Sequence, residues 1–564
     1  MWGVTLTPTS ALAKANDVGC AVPEIGRFKE VNVDEELSGL LRDYRSGRLS
    51  RRDFVQRGVA MGMTVSALGM ILHNTGPVRA AMAHSVSGAR KGGTLRVAVV
   101  PPSTPLDPAL IGDVATILVG DNIYNFLVRL DHNLIPYPDL ATKWSVSKDG
   151  LVWTFPLHKN VKFHSGKPFT ADDVLFTVQR TLNPKTGSPV ANLFAGISKM
   201  VKLDDYTVQF TLKAPNPDFP VNFADYHMCI LENNFSGNFS TKPSGTGPFM
   251  LKEYVPADHA TLVRNPSYFE NGYPYLDAIK LVFLPDVSTQ IAALKSGTVD
   301  AMTNVTPAQA QPLMNVSGIT ALPLGTTGFN NLRMRADKKP FNDPRVRMAF
   351  KLVTDRKAIN AAVLRGVGTV GDDHPISPAY GEWYTNIGTR QLDIPKAKAL
   401  LAQAGYPKGL SVTLTTQVAY GGSDFAVAFQ QLAAAANINV NIVLDGGGSY
   451  FNTDWLTVPL GITSWGARPV PNTILQQLFV TGQPYNEAHY SNKHLDALIA
   501  AAGSELNPSK RKGLYKQIET LISEDGPSII PIFTTFIFPF SNKVKGYQPI
   551  PNTFQYYKSV WLSA

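Results

Sequence analysis

Strand and helix signatures alternate along the chain from residue 92 onward, and this mixture constrains the fold more than any other feature. Residues 92–100 and 411–415 read as strands, and residues 207–212 alternate polar and apolar side chains with a period of two. Helix starts are marked by a capping pattern at residues 170–173 and by an acid before a proline at Asp343. Strands and helices mixed along one chain predict an α/β protein.

Composition excludes several classes of protein. Of the 564 residues 44% are hydrophobic and 17% charged, which is enough to bury a large core. The 52 basic residues are interleaved with 43 acidic ones, so the net charge of +9 does not form the clustered basic face of a nucleic-acid binder. The two cysteines, Cys20 and Cys229, cannot build a disulfide scaffold or a cysteine zinc site. We expect neither a metal nor a cofactor.

The first part of the chain reads as a targeting segment. Residues 50–57 (SRRDFVQR) contain a twin arginine, residues 58–72 form a short apolar run, and residues 81–83 form an A-x-A cleavage site. This order predicts a leader over residues 1–83 that resembles a bacterial twin-arginine export signal, although Gln56 stands where lysine is usual. A periplasmic location follows. The leader is long, so either its amino-terminal region is real or the chain start lies too far upstream.

Catalytic motifs are either missing from the sequence or set in the wrong context. Residues 366–371 match GxGxxG, but a predicted helix precedes them, so a loop is expected in place of a dinucleotide site. Residues 446–448 are three glycines with no following Lys-Ser/Thr, and neither HExxH nor GxSxG occurs. Adjacent acids such as Asp172 and Asp173 point in different directions and make a poor acid/base pair. The sequence predicts a protein that is not an enzyme.

Several separated motifs resemble one protein family. Residues 135–155 (IPYPDLATKWSVSKDGLVWTF) and 161–176 (VKFHSGKPFTADDVLF) are the most specific. SGTGPF follows at 244–249, LKSGTVD at 294–300 and PFNDPRVRMAF at 340–350. Together they resemble the extracellular solute-binding proteins of family 5, which include the oligopeptide-, dipeptide- and nickel-binding components of ABC importers. The matches keep the family's order and cover nearly all of the chain after the leader.

The resemblance implies a two-lobed periplasmic binding protein-like fold of type II, in the large peptide-binding subclass, with a hinge and an inter-lobe cleft. It places lobe I at residues 92–328 and 537–564 and lobe II at residues 329–536. It also implies a small-molecule or short-peptide ligand, a membrane permease and ATPase subunits on separate chains, and a monomer. Clefts between α/β lobes are common ligand sites.

The family pattern points to a ligand-binding loop at residues 459–472. In peptide-binding relatives this place resembles Gly-Trp-x-x-Asp-x-x-Asp-Pro, whose first acid pairs with the ligand's amino terminus. Trp465 is kept, but Ala467 and Arg468 occupy the stretch of that acid. Because a guanidinium offers a planar fork for carboxylates, we expect a ligand with an anionic or zwitterionic head. The alternative is that Arg468 pairs with an acid at the cleft rim.

The remaining candidates surround that loop. Trp465 is predicted to form an apolar wall of the cleft, with core packing as the alternative. Tyr420 follows a predicted strand and could face the cleft or lie in an ordinary loop. Phe329 and Asn330 lie at the predicted lobe crossing, and Pro105 follows the first strand at one lip of the cleft.

The predicted function is capture of a short peptide or a carboxylated amino-acid-like solute, followed by delivery to a permease. Closure of the two lobes would be favoured by ligand contacts to both. A secreted hydrolase and a ligand-presenting chemoreception module on the same fold are the alternatives. The fold alone leaves nickel-chelate or heme cargo open.

Overall fold

The computed structural model describes residues 89–418, 420–445, 449–552 and 555–563. The predicted leader and its twin-arginine motif lie outside the described residues. From Arg90 onward the chain forms one compact unit. Within the described ranges, every helix is too short or too polar to cross a membrane.

The described helices are distributed along the whole unit. They are α1 (Val114–Ile123), α2 (Ala171–Leu182), α3 (Phe219–Asn222), α4 (Val287–Lys295), α5 (Pro307–Ala310), α6 (Pro344–Leu352), α7 (Arg356–Leu364), α8 (Ile394–Gln403), α9 (Gly422–Ala434), α10 (Pro471–Phe479), α11 (Lys493–Ser504) and α12 (Pro508–Asp525). A 3₁₀ segment spans Pro378–Trp383, and a short π-helix spans Tyr450–Asp454.

Strands alternate with these helices. They are β1 (Thr94–Val99), β2 (Val128–Leu130), β3 (Pro136–Pro138), β4 (Ser145–Val146), β5 (Val152–Pro156), β6 (Ile197–Asp204), β7 (Thr207–Leu212), β8 (Phe249–Val255), β9 (His259–Arg264), β10 (Ala278–Phe283), β11 (Ala301–Met302), β12 (Ile319–Met334), β13 (Thr369–Val370), β14 (Leu410–Gln417), β15 (Ile438–Asp445), β16 (Leu460–Trp465), β17 (Ser528–Ser541), β18 (Val544–Lys545) and β19 (Trp561–Leu562).

One large mixed sheet runs through the unit in the order β15-β14-β16-β12-β17-β11-β1-β10-β9-β8. The two longest strands, β12 and β17, pair antiparallel in its centre, and their register is interrupted between Gly325 and Phe329. On one side lie β11, β1 and β10, which pair in parallel, and on the other side lie the parallel strands β14, β15 and β16. The separate sheet β4-β5-β7-β6 is built from the part of the chain between β3 and β8.

Along the same two strands, the side chains pass from one hydrophobic core cluster to another. On β17, Ile537 packs in a cluster with Leu294 and Val299, on the side of β1. Four residues earlier, Phe533 packs in a different cluster with Phe329, on the side of β16. Each side therefore has its own core, and the unit consists of two lobes joined by β12 and β17. We call the side of β1 the first lobe and the side of β14–β16 the second lobe.

The two lobes also touch away from these strands. Val470 of the second lobe packs against an apolar cluster of the first lobe that includes Val221. Asp218, just before α3, forms a bidentate ion pair with Arg511 on α12, and the Nη1–Oδ1 distance is 2.7 Å. The Asp218 and Arg511 side chains are only 13% and 4% exposed, so water is largely excluded from this contact.

Several local sequence predictions are confirmed. The period-two segment forms β7 with its predicted bounds. Thr170 and Asp173 make a capping box at the start of α2, and the Asp343 carboxylate accepts the backbone N–H of Arg345 at the start of α6. The mixed α/β class is confirmed as well.

The GxGxxG segment differs from the simple loop that we predicted. Thr369 and Val370 form the short strand β13 and pair with β17. A Cβ on Gly371 would lie 2.3 Å from the Ile530 carbonyl oxygen, so glycine permits this close approach. Gly371 thus serves strand packing inside the second lobe.

Candidate ligand-binding site

The parallel strands β14, β15 and β16 end at the same edge of the sheet. The register pairs Gln417 with Asp445 and Thr416 with Ile462, so the carboxyl ends of the three strands lie side by side. In open α/β sheets, ligands bind beyond the carboxyl ends of the strands. This edge of the second lobe is therefore the candidate site.

Strand β12 holds two of these loops in place. The Thr327 hydroxyl accepts the backbone N–H of Arg468 at 2.9 Å and donates to the Arg468 carbonyl oxygen at 2.8 Å. The Asn330 side-chain amide donates to the carbonyl oxygen of Tyr420 at 2.9 Å, and Asn330 itself is 1% exposed. Two positions of one strand, three residues apart, therefore fix the backbones of Arg468 and Tyr420.

The Arg468 guanidinium is half-buried and has few partners. Its Nη1 donates to the carbonyl oxygens of Gly466 and Ala467 at 3.2 and 3.3 Å, both within its own loop. Its side chain makes no salt bridge with any acid of the described ranges. The rim pairing that we kept as an alternative is thus not what the structure shows for Arg468. Most of its donor capacity remains available.

Two tyrosines lie within the electrostatic reach of Arg468. Burial raises the pKa of Tyr226, in the first lobe, to about 12, and the positive charge of Arg468 opposes that shift. Burial also raises the pKa of Tyr380, again opposed in part by Arg468. The Tyr380 hydroxyl is buried and interacts with the Thr327 side chain, which also opposes the shift. The surroundings of Arg468 therefore hold neutral hydroxyl groups.

Trp465 is placed in the second lobe's core, with a relative exposure of 7%. Its indole N–H donates to Glu487 Oε1 at 3.1 Å, and its ring lies 6.0 Å from that of Trp455. On β12, Phe329 pairs with Trp465 and packs its fully buried ring against Phe533. Core packing thus accounts for the observed contacts of Trp465 and Phe329, and contact of either residue with ligand stays a prediction.

Sequence reasoning missed Glu487, which supports the tryptophan layer formed by the rings of Trp455 and Trp465. This carboxylate is fully buried and accepts hydrogen bonds from the indole N–H groups of Trp455 and Trp465 and from the Asn331 amide. The buried guanidinium of Arg333 lies beside it, with 3.7 Å between Nε and Oε2. Asn331 is 156 residues away along the chain, so no local pattern could have revealed the cluster.

Tyr420 and Pro105, the remaining candidates, are both exposed. Tyr420 is 72% exposed and has a left-handed backbone with φ of 55°. Pro105 lies in the first lobe, in the loop after β1, where Asp113 accepts the backbone N–H groups of Ser103 and Thr104 at 2.8 Å each. Arg468, Asn330 and Tyr420 are thus brought to one edge, and Pro105 lies on the other lobe.

We also searched for a metal site and for an enclosed cavity. Within the described ranges, no group of three or more His, Cys, Asp or Glu side chains is arranged to hold a metal ion. A small cavity in the first lobe is lined by residues that include Asp121, Arg129 and Tyr556, and it has room for about one water molecule. None of the predicted site residues lines that cavity.

Two lobes that share one sheet, with an edge of parallel strands at their junction, define a two-lobed binding protein. The family model for bacterial extracellular solute-binding proteins, family 5 Middle, matches residues 136–486. The chain belongs to this family of solute-binding proteins, and the resemblance found in its motifs is confirmed.

Relatives and a solved structure agree with this assignment. Heme-binding protein A of Haemophilus influenzae is 29% identical, with 77% of this chain and 85% of the relative covered. Glutathione-binding protein GsiB of Salmonella choleraesuis is 28% identical, with 81% and 92% covered. The structure of HbpA2 from Haemophilus parasuis superimposes with a TM-score of 0.76 at 26% identity, and 84% of this chain and 100% of HbpA2 are covered. The two-lobed type II fold is thus confirmed, and neither the hydrolase nor the chemoreception alternative gains support.

Proposed function

We propose that this solute-binding protein captures a short peptide or a carboxylated amino-acid-like solute between its lobes and delivers it to an ABC permease. The permease and its ATPases are separate chains. Binding leaves the covalent bonds of the solute unchanged, and the protein works as a monomer. Residues 50–57 and 81–83 support export to the periplasm through a twin-arginine signal.

The unpaired guanidinium of Arg468 carries this proposal. Arginine stays protonated in proteins, so a half-buried Arg468 without an acid partner is matched by an anion from outside the chain. A carboxylate fits the planar fork and can accept two parallel hydrogen bonds. Tyr380 adds a buried hydroxyl in the same neighbourhood.

The ligands in the names of the two relatives have the same chemistry. One relative is named for heme and the other for glutathione, and both molecules carry carboxylates. Because these two ligands differ in size and shape, what they share is the charge of their acidic groups. This supports a carboxylate as the group that the present chain recognises.

We further propose the division into lobe I (residues 92–328 and 537–564) and lobe II (residues 329–536). The register interruption in β12 falls between Gly325 and Phe329, which supports a boundary after residue 328. On β17 the core changes over between Phe533 and Ile537, which supports a boundary after residue 536. The two crossing strands would then form the hinge.

The test begins with native mass spectrometry of the protein purified from its own periplasm, because a co-purified molecule would identify the ligand class. Calorimetry then compares wild type, Arg468→Ala and the exposed control Arg90→Ala, with that molecule, glutathione and a panel of dipeptides. Loss of a buried charge-assisted contact lowers affinity by about 2–5 kcal/mol, so Arg468→Ala is expected to weaken binding at least about 30-fold. Equal affinities for the two variants would remove Arg468 from ligand recognition.

A further inference from the structure

We propose that the buried ion pair between Asp218 and Arg511 is a latch, which holds the two lobes together when no solute is bound. The latch sets the fraction of the solute-free protein that is closed, and removing it favours the open form. This inference does not depend on the chemistry of the solute, because both partners of the ion pair belong to the chain itself.

The first step is the part of the molecule in which the ion pair lies. The chain crosses between the lobes along β12 and β17, whereas Asp218 and Arg511 belong to different lobes and are 293 residues apart. Val221, just after Asp218, belongs to the apolar cluster against which Val470 packs. Val470 follows Arg468 closely in the loop of the candidate site. The lobes therefore touch beside that loop, and an opening that moves the loop away from the first lobe also has to separate the ion pair.

A further contact between the lobes accompanies the ion pair. Leu506 lies just before α12 in the second lobe and is half-buried. Gly150 of the first lobe has a left-handed backbone, with φ of 75°, and a Cβ there would lie 3.1 Å from Leu506 Cδ1. The glycine therefore lets the leucine side chain pack against a turn of the first lobe. Apolar contacts by Val470 and Leu506 thus support the same closed arrangement as the ion pair.

The second step is the way in which the second lobe positions Arg511. The Nε of Arg511 donates to the Ala502 carbonyl oxygen at 2.8 Å. Its guanidinium carbon lies 5.1 and 5.3 Å from the ring centres of Trp383 and Tyr515. All of these groups belong to the second lobe, and the two Nη atoms donate to the two carboxylate oxygens of Asp218. The guanidinium is thus preorganised by its own lobe, which reduces the entropy lost when it pairs with the other lobe.

The third step is the way in which the first lobe presents Asp218. This residue stands just before α3, a position from which an acidic side chain commonly caps the first turn of a helix. The Asp218 carboxylate makes no such capping bond and pairs with Arg511. In the closed form both side chains are largely buried, so removing one charge leaves the other unpaired and poorly hydrated. In the open form water can hydrate a single charge, so the loss of either partner favours opening.

Distance measurements between two spin labels on the solute-free protein test this inference. Exposed cysteines replace Lys148 in the first lobe and Lys510 in the second lobe, and serine replaces Cys20. The remaining cysteine, Cys229, is fully buried and stays unlabelled in the folded protein. The protein is unfolded in urea, washed, refolded and then labelled, and native mass spectrometry verifies that no solute is bound. Wild type is expected to show mainly the shorter distance of the closed form.

Three variants are compared with wild type in this measurement. Asp218→Asn keeps the shape of the side chain and removes its charge, and it is expected to raise the ratio of open to closed protein at least about fivefold. Leu506→Ala should shift the distances in the same direction by a smaller factor. Asp343→Asn alters an ion pair with Arg345 that lies within the second lobe, so it should leave the distances unchanged.

The latch is overturned if solute-free wild type is already open, or if Asp218→Asn gives the same distances as wild type. Circular dichroism checks that each variant has refolded. If Asp218→Asn does not refold, Arg511→Gln decides, because it removes the other charge of the same pair. A shift toward the longer distance in that variant supports the latch, and unchanged distances overturn it. Since no solute is present, either result leaves the proposed function standing.

Discussion

Arg468 and Glu519 are both ionisable side chains without an ion-pair partner among the described residues, and they differ in burial and in charge. Glu519 lies on α12 inside the second lobe, fully buried, where one carboxylate oxygen accepts the backbone N–H of Thr385 at 3.0 Å. Its other oxygen is buried with no hydrogen-bond partner there. Arg468 lies at the edge of the candidate site, only half-buried, with unused donors.

The difference follows from the chemistry of the two groups. A buried carboxylate avoids the free-energy cost of an unpaired charge by keeping its proton. Burial accordingly raises the pKa of Glu519 to about 8. A guanidinium cannot become neutral in this way, because it does not lose its proton in proteins. An unpaired acid in the interior is therefore a neutral group. An unpaired arginine, in contrast, keeps its positive charge and can bind an anion. This contrast is the reason why we propose a role in ligand binding for Arg468 and none for Glu519.

The largest expected effect comes from removing a charge that does have partners. Glu487→Ala would leave Arg333 buried beside a cavity and would free two indole N–H groups. Breaking a buried pair in this way costs about 3–5 kcal/mol. We expect that loss in the free energy of unfolding, measured by urea denaturation.

The exposed Glu382→Ala is the matched control, with an expected change within about 0.5 kcal/mol. Equal stabilities of the two variants would show that Glu487 is not the support of the tryptophan layer.

An intermediate effect is expected where the two partners come from different lobes. The Arg511 guanidinium pairs with Asp218 and lies 5.1 Å from the ring centre of Trp383. A double-mutant cycle with Asp218→Asn and Arg511→Met should give a coupling energy of about 0.5–3 kcal/mol in the free energy of unfolding. The reference cycle uses the exposed pair Asp343 and Arg345, for which less than about 1 kcal/mol is expected. A smaller coupling energy for the inter-lobe pair than for this reference would contradict the expectation that Asp218 and Arg511 stabilise the contact between the lobes.

These examples also show what could be predicted from the sequence. The caps at Thr170 and Asp343 and the strand β7 follow from patterns within a few residues, and the structure has them as predicted. Arg468 was visible because it breaks a family pattern at one position. Glu487 and Asp218 were not visible, because their partners lie up to 156 and 293 residues away. Long-range pairs are created by the packing of elements and leave no local periodicity.

The last expected effect is spread over several pH units, and it is the pH dependence contributed by Glu519. An unfolded glutamate has a pKa near 4.3, whereas burial raises that of folded Glu519 to about 8, so between these values the folded state holds the extra proton. Its contribution to stability is complete below about pH 4 and is lost as the pH rises toward 8, by at most about 1.4 kcal/mol per pH unit. Glu519→Gln keeps an oxygen for the Thr385 N–H and cannot titrate. In urea denaturation from pH 5 to pH 8, wild type should therefore lose stability relative to Glu519→Gln. Parallel stability curves for the two proteins would mean that Glu519 is ionised in the folded state, and the contrast with Arg468 would then fail.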